Sequence, residues 1–262
     1  MRALKRFGQH FLEPAWADKL VAAIEPDAGD RFLEIGLGPG VLTLRLAPLV
    51  EHITAVELDR DLVAVLAPRL PANVTLVQRD FLDFDLADLA PQMPVRVAGN
   101  LPYNVSAPIL FRLIDAHRRL GGIVDASVML QREVAARITA APGTGDYGVL
   151  AILVRLHTDV RPLLQLPPGA FRPPPKVRST VLHLRFRRPA VELSDPSGFE
   201  EMVRSMFTQR RKTLANALQP YAASRGAEAA TALARAGIDP RRRAETLQLS
   251  ELARLAEFFA TS

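Results

Sequence analysis

Between residues 31 and 138, short apolar runs alternate with stretches of helical apolar spacing. The strand-like runs fall at 31–35, 52–56, 74–77, 95–98 and 126–130. Helical spacing covers 41–49, 61–70, 107–114 and 132–138, and an earlier helical stretch covers 16–24. Strands separated by helices pair in parallel through crossovers. The pattern therefore predicts an α/β fold with a doubly wound, mostly parallel sheet. It also says where a ligand would sit, because such sheets bind ligands outside the carboxyl ends of their strands.

Residues 141–146 form a Gly/Pro/Thr breaker cluster and read as a loop. Two apolar runs follow, at 149–156 and 181–186. Both are expected as strands forming an antiparallel edge on the sheet. A Pro-rich connection, residues 167–176, lies between them without helical or strand pattern. After Pro189 the character changes, with helical spacing at 196–207, 211–218, 226–236 and 250–259 and no strand pattern. Two domains are expected: 1–190, carrying the sheet, and 191–262, all α.

Chemistry concentrates at the expected strand ends. The first strand runs into Glu34-Ile35-Gly36-Leu37-Gly38-Pro39-Gly40, where glycines let the backbone approach a ligand closely. The second ends at Glu57, a carboxylate placed to accept ribose hydroxyls. Asp59 is its rival, but it reads better as the cap of the next helix. The third ends at Asp80, an acceptor for an adenine amino group, with Phe81 beside the ring. Asp83 and Asp85 follow closely, so only position favours Asp80.

The fourth strand ends in Gly99-Asn100-Leu101-Pro102-Tyr103-Asn104, with Ser106 expected to cap the following helix. Pro102 fixes its own φ and pushes Leu101 into an extended conformation. The turn thus presents one carboxamide, one backbone carbonyl and one aromatic ring, a set suited to holding a planar amine.

Charge and composition narrow the function. The 33 Lys and Arg exceed the 28 Asp and Glu, a net charge of +5. Basic residues cluster at Arg2/Lys5/Arg6, Arg118/Arg119, Arg185/Arg187/Arg188, Arg210/Arg211/Lys212 and Arg241/Arg242/Arg243, which points to a polyanionic partner. The chain has no Cys, so disulfides, thiolate metal sites and Cys nucleophiles are excluded. No apolar h-region follows the basic start, and no run is long enough to span a membrane, so a cytoplasmic location without membrane contact is expected.

The Gly-rich loop resembles the nucleoside-binding loop of class I S-adenosylmethionine methyltransferases. The succession Glu57, Asp80 and Asn100-Leu101-Pro102-Tyr103 resembles the adenine-N6 methyltransferases among them. More narrowly, the chain resembles the small-subunit ribosomal RNA adenine dimethyltransferase family. That resemblance also rests on Lys5 to Leu12, Met129 to Val134, the stretch 167–179 around Phe171, and Phe207 to Leu218 around Gln209-Arg210-Arg211-Lys212. It covers nearly the whole chain. Three departures stand out: His10 where Asn is usual, Arg178 where an acidic residue is common, and Leu37 and Pro39 in exchanged places.

The resemblance implies a Rossmann-like methyltransferase domain and a helical domain that helps hold RNA. It implies transfer of methyl groups from S-adenosylmethionine to N6 of two adjacent adenines near the 3′ end of small-subunit ribosomal RNA. The expected setting is the immature small subunit, with the enzyme a monomer and no metal involved. For the cofactor it points to His10, Leu12, Gly36, Gly38, Glu57, Leu58, Asp80, Phe81 and Asn100. For the chemistry it points to Asn100, Leu101, Tyr103 and Phe171, and for RNA to Arg210, Arg211 and Lys212. Phe171 is expected on the face of the target base opposite Tyr103; the alternative is a ring that fills the core beneath its loop. Rival readings are a large-subunit ribosomal RNA methyltransferase, a DNA adenine methyltransferase, and a non-catalytic RNA-binding assembly factor.

Overall fold

The apolar runs expected as the first strands lie side by side in the computed structural model, which describes residues 10–260. The basic cluster Arg2/Lys5/Arg6 and most of the Lys5 to Leu12 stretch lie outside the described residues. The strands are β1 (Phe11–Leu12), β2 (Arg31–Ile35), β3 (His52–Glu57), β4 (Val74–Gln78), β5 (Val95–Asn100), β6 (Ile123–Gln131), β7 (Thr158–Leu166), β8 (Phe171–Arg172) and β9 (Ser179–Phe186). The helices are α1 (Pro14–Ile24), α2 (Thr43–Leu46), α3 (Arg60–Leu66), α4 (Ser106–Leu120), α5 (Arg132–Thr139), α6 (Val149–His157), α7 (Pro196–Thr208), α8 (Leu214–Ser224), α9 (Ala229–Arg235) and α10 (Leu249–Ala260).

The seven-stranded sheet has the order β4-β3-β2-β5-β6-β9-β7. Strands β4 through β6 pair in parallel, and β9 runs antiparallel to β6. The chain winds outward from β2 to β3 and β4, then returns to place β5 on the other side of β2. The strand order reverses there, and the carboxyl ends of β2 and β5 flank the crevice that such a reversal opens. Gly99 lets the two strands come this close, since a Cβ on it would collide with the Ile35 carbonyl oxygen. The doubly wound, mostly parallel sheet is therefore present as expected.

One element differs. Residues 149–157 form the helix α6, not a strand, and the outer edge of the sheet is β7. Ala151, Ile152, Leu153, Val154 and Leu156 are all buried, so the helix is covered on most of its faces. A short apolar run of that kind reads the same for a buried helix as for a buried strand.

The chain divides into two compact units. One runs up to Ala135 and includes Asp159–Phe186; the other comprises Ala136–Thr158 and the residues from Arg187 onward. The expected change of character near residue 190 lies close to the division at Phe186. Residues 136–158, expected with the sheet, group instead with the C-terminal helices. Local bonds tie them there: Tyr147 Oη donates to the Leu247 carbonyl at 3.1 Å, and the Gly143 amide to the Glu245 carbonyl at 2.7 Å.

Candidate active site

The Gly-rich loop turns sharply after β2. Gly36 and Gly38 have φ of +76° and +55°, in the left-handed region that favours glycine. A Cβ on Gly38 would come within 3.4 Å of the Phe11 ring, so side-chain-free backbone keeps this cradle open. The Gly38 amide donates to Glu57 Oε2 at 2.8 Å, and the Asp59 amide donates to Oε1 at 2.9 Å. Burial pushes the Glu57 carboxyl up, opposed by those two amides. A carboxylate has about four acceptor positions, so two amides leave it capacity for hydroxyl donors. Asp59 accepts from the amides of Asp61 and Leu62, at 3.0 and 3.4 Å, and so caps α3. Both acids line the cavity, but Asp59 is engaged at the start of α3, which leaves Glu57 as the acid at the end of β3 with acceptor positions for a ligand. Beside it Leu58 is 48% exposed and presents an apolar surface to the cavity.

Glu34 is a buried acid whose chemistry the sequence did not disclose. Its Oε2 accepts from Thr43 Oγ1 at 2.6 Å. Burial, and to a lesser degree the nearby Glu57, push its carboxyl up to about 8, against the Thr43 bond. Glu34 is therefore largely protonated at neutral pH and anchors the base of the loop without adding a second charge.

The β4 end carries Asp80 and Phe81. Asp80 Oδ1 accepts from the Leu82 amide at 2.9 Å, a side-chain turn that fixes the carboxylate. Phe81 is buried, with its ring centroid 6.4 Å from that of Phe84. Arg112 on α4 donates to the carbonyls of Leu82 and of Phe84, the latter at 2.6 Å. Its Nε is buried and has no hydrogen-bond partner among the described residues. Arg112 thus grips the loop that presents Asp80 and Phe81. Nothing in the local sequence marked it.

At the end of β5, the Leu101 amide continues the sheet by donating to the Met129 carbonyl at 3.2 Å. Asn100 Nδ2 donates to the His10 carbonyl at 2.8 Å. Tyr103 Oη is 3.0 Å from Ser179 Oγ, and burial pushes the phenol up, so the ring is neutral. Ser106 opens α4 as its first residue rather than capping it, with its hydroxyl toward the Tyr103 carbonyl. The His10 ring stacks on Tyr103, with centroids 5.8 Å apart and planes at 27°. Its Nδ1 lies 2.7 Å from the Pro173 carbonyl, which can only accept, so Nδ1 carries the proton. His10 therefore lines the pocket and adds contacts to Asn100 and Tyr103 through its carbonyl and ring.

A cavity of about 500 Å³ joins these groups, within the range of small-molecule sites. Its walls include His10, Gly36, Gly38, Glu57, Leu58, Asp80, Phe81, Asn100, Leu101 and Tyr103. Carboxylates on apolar walls suit a nucleoside, with Glu57 able to accept from hydroxyls and Asp80 from an amine. Among the described residues no group of His, Asp and Glu is arranged to hold a metal ion.

Two expected site residues lie elsewhere. Leu12 is buried in the core, and its neighbour Phe11 lines the cavity instead. Successive side chains on a strand point to opposite sides, so β1 can offer only one of the pair. Phe171 is 2% exposed and belongs to the same core as Leu12, its antiparallel partner in the β1–β8 ladder. It does not line the cavity, and the alternative reading, a ring filling the core beneath the loop, is the one found.

In the second unit, Arg210 is engaged internally. Its guanidinium donates to the carbonyls of Gly145 and Tyr147, at 2.7 and 3.0 Å, and lies 3.4 Å from Glu245. It anchors the 141–147 loop rather than offering a free cation to RNA. Arg211 and Lys212 are exposed, in a turn that precedes α8.

Comparison with known proteins gives the chain relatives in sequence and in fold. The family model for ribosomal RNA adenine dimethylase matches residues 1–261. The ribosomal RNA small subunit methyltransferase A of Anaeromyxobacter sp. (strain K) is 43% identical over 266 residues, covering 97% of this chain and 93% of the relative. That of Nitrosococcus oceani is 43% identical over 263 residues, covering 98% and 96%. Among solved structures, a dimethyladenosine transferase from Plasmodium falciparum shares the fold with a TM-score of 0.77 at 24% identity, covering 94% and 96% of the two chains. The 23S rRNA methyltransferase ErmE matches with a TM-score of 0.65 at 26% identity, covering 94% and 98%.

Proposed function

The chain belongs to the ribosomal RNA adenine dimethylase family, and from that premise we propose that it dimethylates N6 of two adjacent adenines near the 3′ end of small-subunit ribosomal RNA. The methyl donor in this reading is S-adenosylmethionine, held by Gly36, Gly38, Glu57, Leu58, Asp80 and Phe81. When bound, it supplies an electrophilic methyl group. The enzyme acts as a monomer in the cytoplasm, on RNA within the immature small subunit. The sheet-bearing unit performs the chemistry and the helical unit helps hold RNA.

The observation that carries this reading is the Asn100–His10 bond. A backbone carbonyl cannot donate, so the carboxamide must turn its nitrogen toward His10 and its Oδ1 away from it. Oδ1 and the Leu101 carbonyl can then accept the two N6 hydrogens of an adenine. The N6 lone pair is conjugated with the purine and is a poor nucleophile. Acceptors on its hydrogens favour a pyramidal nitrogen and stabilise the positive charge that grows as the new bond forms. Tyr103 offers a neutral aromatic face to an adenine extruded from its stack, a contact worth ~1–3 kcal/mol per base. No strong general base is required, because the product ammonium can lose its proton after transfer.

The test uses labelled S-adenosylmethionine with three substrates: immature small subunits, naked small-subunit RNA and large-subunit RNA. Dimethyladenine at adjacent positions in small-subunit RNA supports the reading. Label in large-subunit RNA alone would move the chain to the rival function, and no transfer to any adenine would end the enzymatic reading.

A further inference from the structure

We propose that Lys176, Arg178 and Arg132 form a phosphate-binding rim beside Tyr103, which grips the RNA strand flanking the target adenine. The proposal rests on RNA being the substrate. It starts from Arg178, an exposed cation directly before Ser179, the first residue of β9.

The rim's place is fixed by two bonds. Ser179 Oγ is 3.0 Å from Tyr103 Oη, and the Arg132 amide donates to the Arg178 carbonyl at 2.9 Å. The second bond extends the β6–β9 ladder one step past the pair Gln131–Ser179. Arg178 and Arg132 therefore flank the residue that holds the Tyr103 hydroxyl. Lys176 follows the run Pro173-Pro174-Pro175, whose restricted backbone lowers the entropy lost on binding.

All three side chains are exposed, and none has an ion-pair partner among the described residues. Arg172, the next cation upstream, is different, because it pairs with Glu13. Within 130–133 and 173–179 the three cations face one acid, Glu133, a net of +2. Val177, between the two cations, is 42% exposed and gives a sugar an apolar surface. A strip of free cations and an exposed aliphatic beside an aromatic platform suits a single strand, whose phosphates need charge and whose unstacked base needs a ring. It suits a folded protein partner less well, for which large apolar or aromatic anchors are usual.

The test compares wild type, Lys176→Ala, Arg178→Ala and the double variant. Each is titrated with a small-subunit 3′-end RNA hairpin by fluorescence anisotropy across a potassium chloride series. All four should share one melting temperature and one S-adenosylmethionine affinity. Each lost contact should flatten the log–log salt slope by about 0.7. The double variant should raise KM for the RNA several-fold with kcat at saturating RNA unchanged. An unchanged slope and KM in the double variant, with wild-type methylation intact, would overturn the rim and leave the enzymatic reading standing. A wild type that binds the hairpin but methylates no adenine would overturn the reading beneath it.

Discussion

Asn100 Nδ2 and the carbonyl of His10 are 2.8 Å apart, so a residue from the N-terminal segment sets which end of the Asn100 carboxamide faces away from it. The acceptor that the proposed chemistry needs is thereby oriented before any substrate arrives. Such preorganisation acts mainly in the transition state, where charge develops. Asn100→Ala should lower kcat about 10²-fold, by analogy with loss of one preorganised electrostatic partner. RNA affinity should change little. Single-turnover methylation beside RNA titration separates the two, and a variant that keeps kcat while KM rises would make Asn100 a binding residue only.

Glu34 gives the fold a pH dependence with a definite sign. Its folded carboxyl is raised to about 8, well above the value of an exposed glutamate. The folded state thus holds a proton that the unfolded state releases, and stability falls as pH rises from about 4.5 to about 8. Its contribution is fully present below that window and lost above it. Glu34→Gln mimics the protonated form, keeps an acceptor for Thr43 and has nothing to titrate. The melting temperature of Glu34→Gln relative to wild type should therefore climb across the window. Thermal denaturation at a series of pH values checks this, and a constant difference between the two proteins would remove Glu34 as the source.

Phe171 should behave as a core residue. It is enclosed with Leu12, Ala170 and Val181. Phe171→Ala should cost about 3–5 kcal/mol, the usual penalty for emptying a buried aromatic site. Methylation per folded molecule should stay near wild type at a temperature where the variant is folded. Denaturant titration and activity of the folded fraction test this together. A variant of normal stability with a large loss of kcat/KM would return the ring to the target base.

Much of this was legible in the sequence, because strand ends in a parallel sheet coincide with glycines, acids and the Asn-Leu-Pro-Tyr turn. Glu57, Asp80 and Asn100 needed only the alternation of strand and helix to be placed. What escaped was set by tertiary burial. The run at 149–154 is apolar throughout, so its period could not distinguish helix from strand. Leu12 and Phe171 looked available because loops and short strands carry no burial signal, and only the β1–β8 pairing turns both inward. Arg210 looked like part of a basic cluster, but carbonyls distant in sequence engage it. Arg112 was invisible for the same reason, since its partners lie 28 and 30 residues away.

Arg112 leads to the last prediction. It stands on α4, the helix that begins just after Asn100 and Tyr103, and its guanidinium reaches the carbonyls of Leu82 and Phe84. Those two residues close the turn that presents Asp80 and Phe81. One side chain therefore ties the helix that follows the Asn100–Tyr103 turn to the loop proposed to meet the adenine of the cofactor. A guanidinium spans two carbonyls with a rigid fork, whereas an ammonium is a point charge on a flexible stem. Arg112→Lys should keep the positive charge but release one carbonyl. Hydrogen bonds to charged groups are worth about 1.5–3 kcal/mol, so the loop should loosen enough to weaken S-adenosylmethionine binding about tenfold. Because Arg112 touches neither the target turn's acceptors nor solvent-facing RNA cations, kcat at saturating cofactor and RNA affinity should stay near wild type. Calorimetric titration of Arg112→Lys with S-adenosylmethionine, alongside kcat at saturation, is the measurement. Unchanged cofactor affinity would mean that Asp80 and Phe81 are held without Arg112, and an equal loss of kcat would place the disturbance in the Asn100 turn instead.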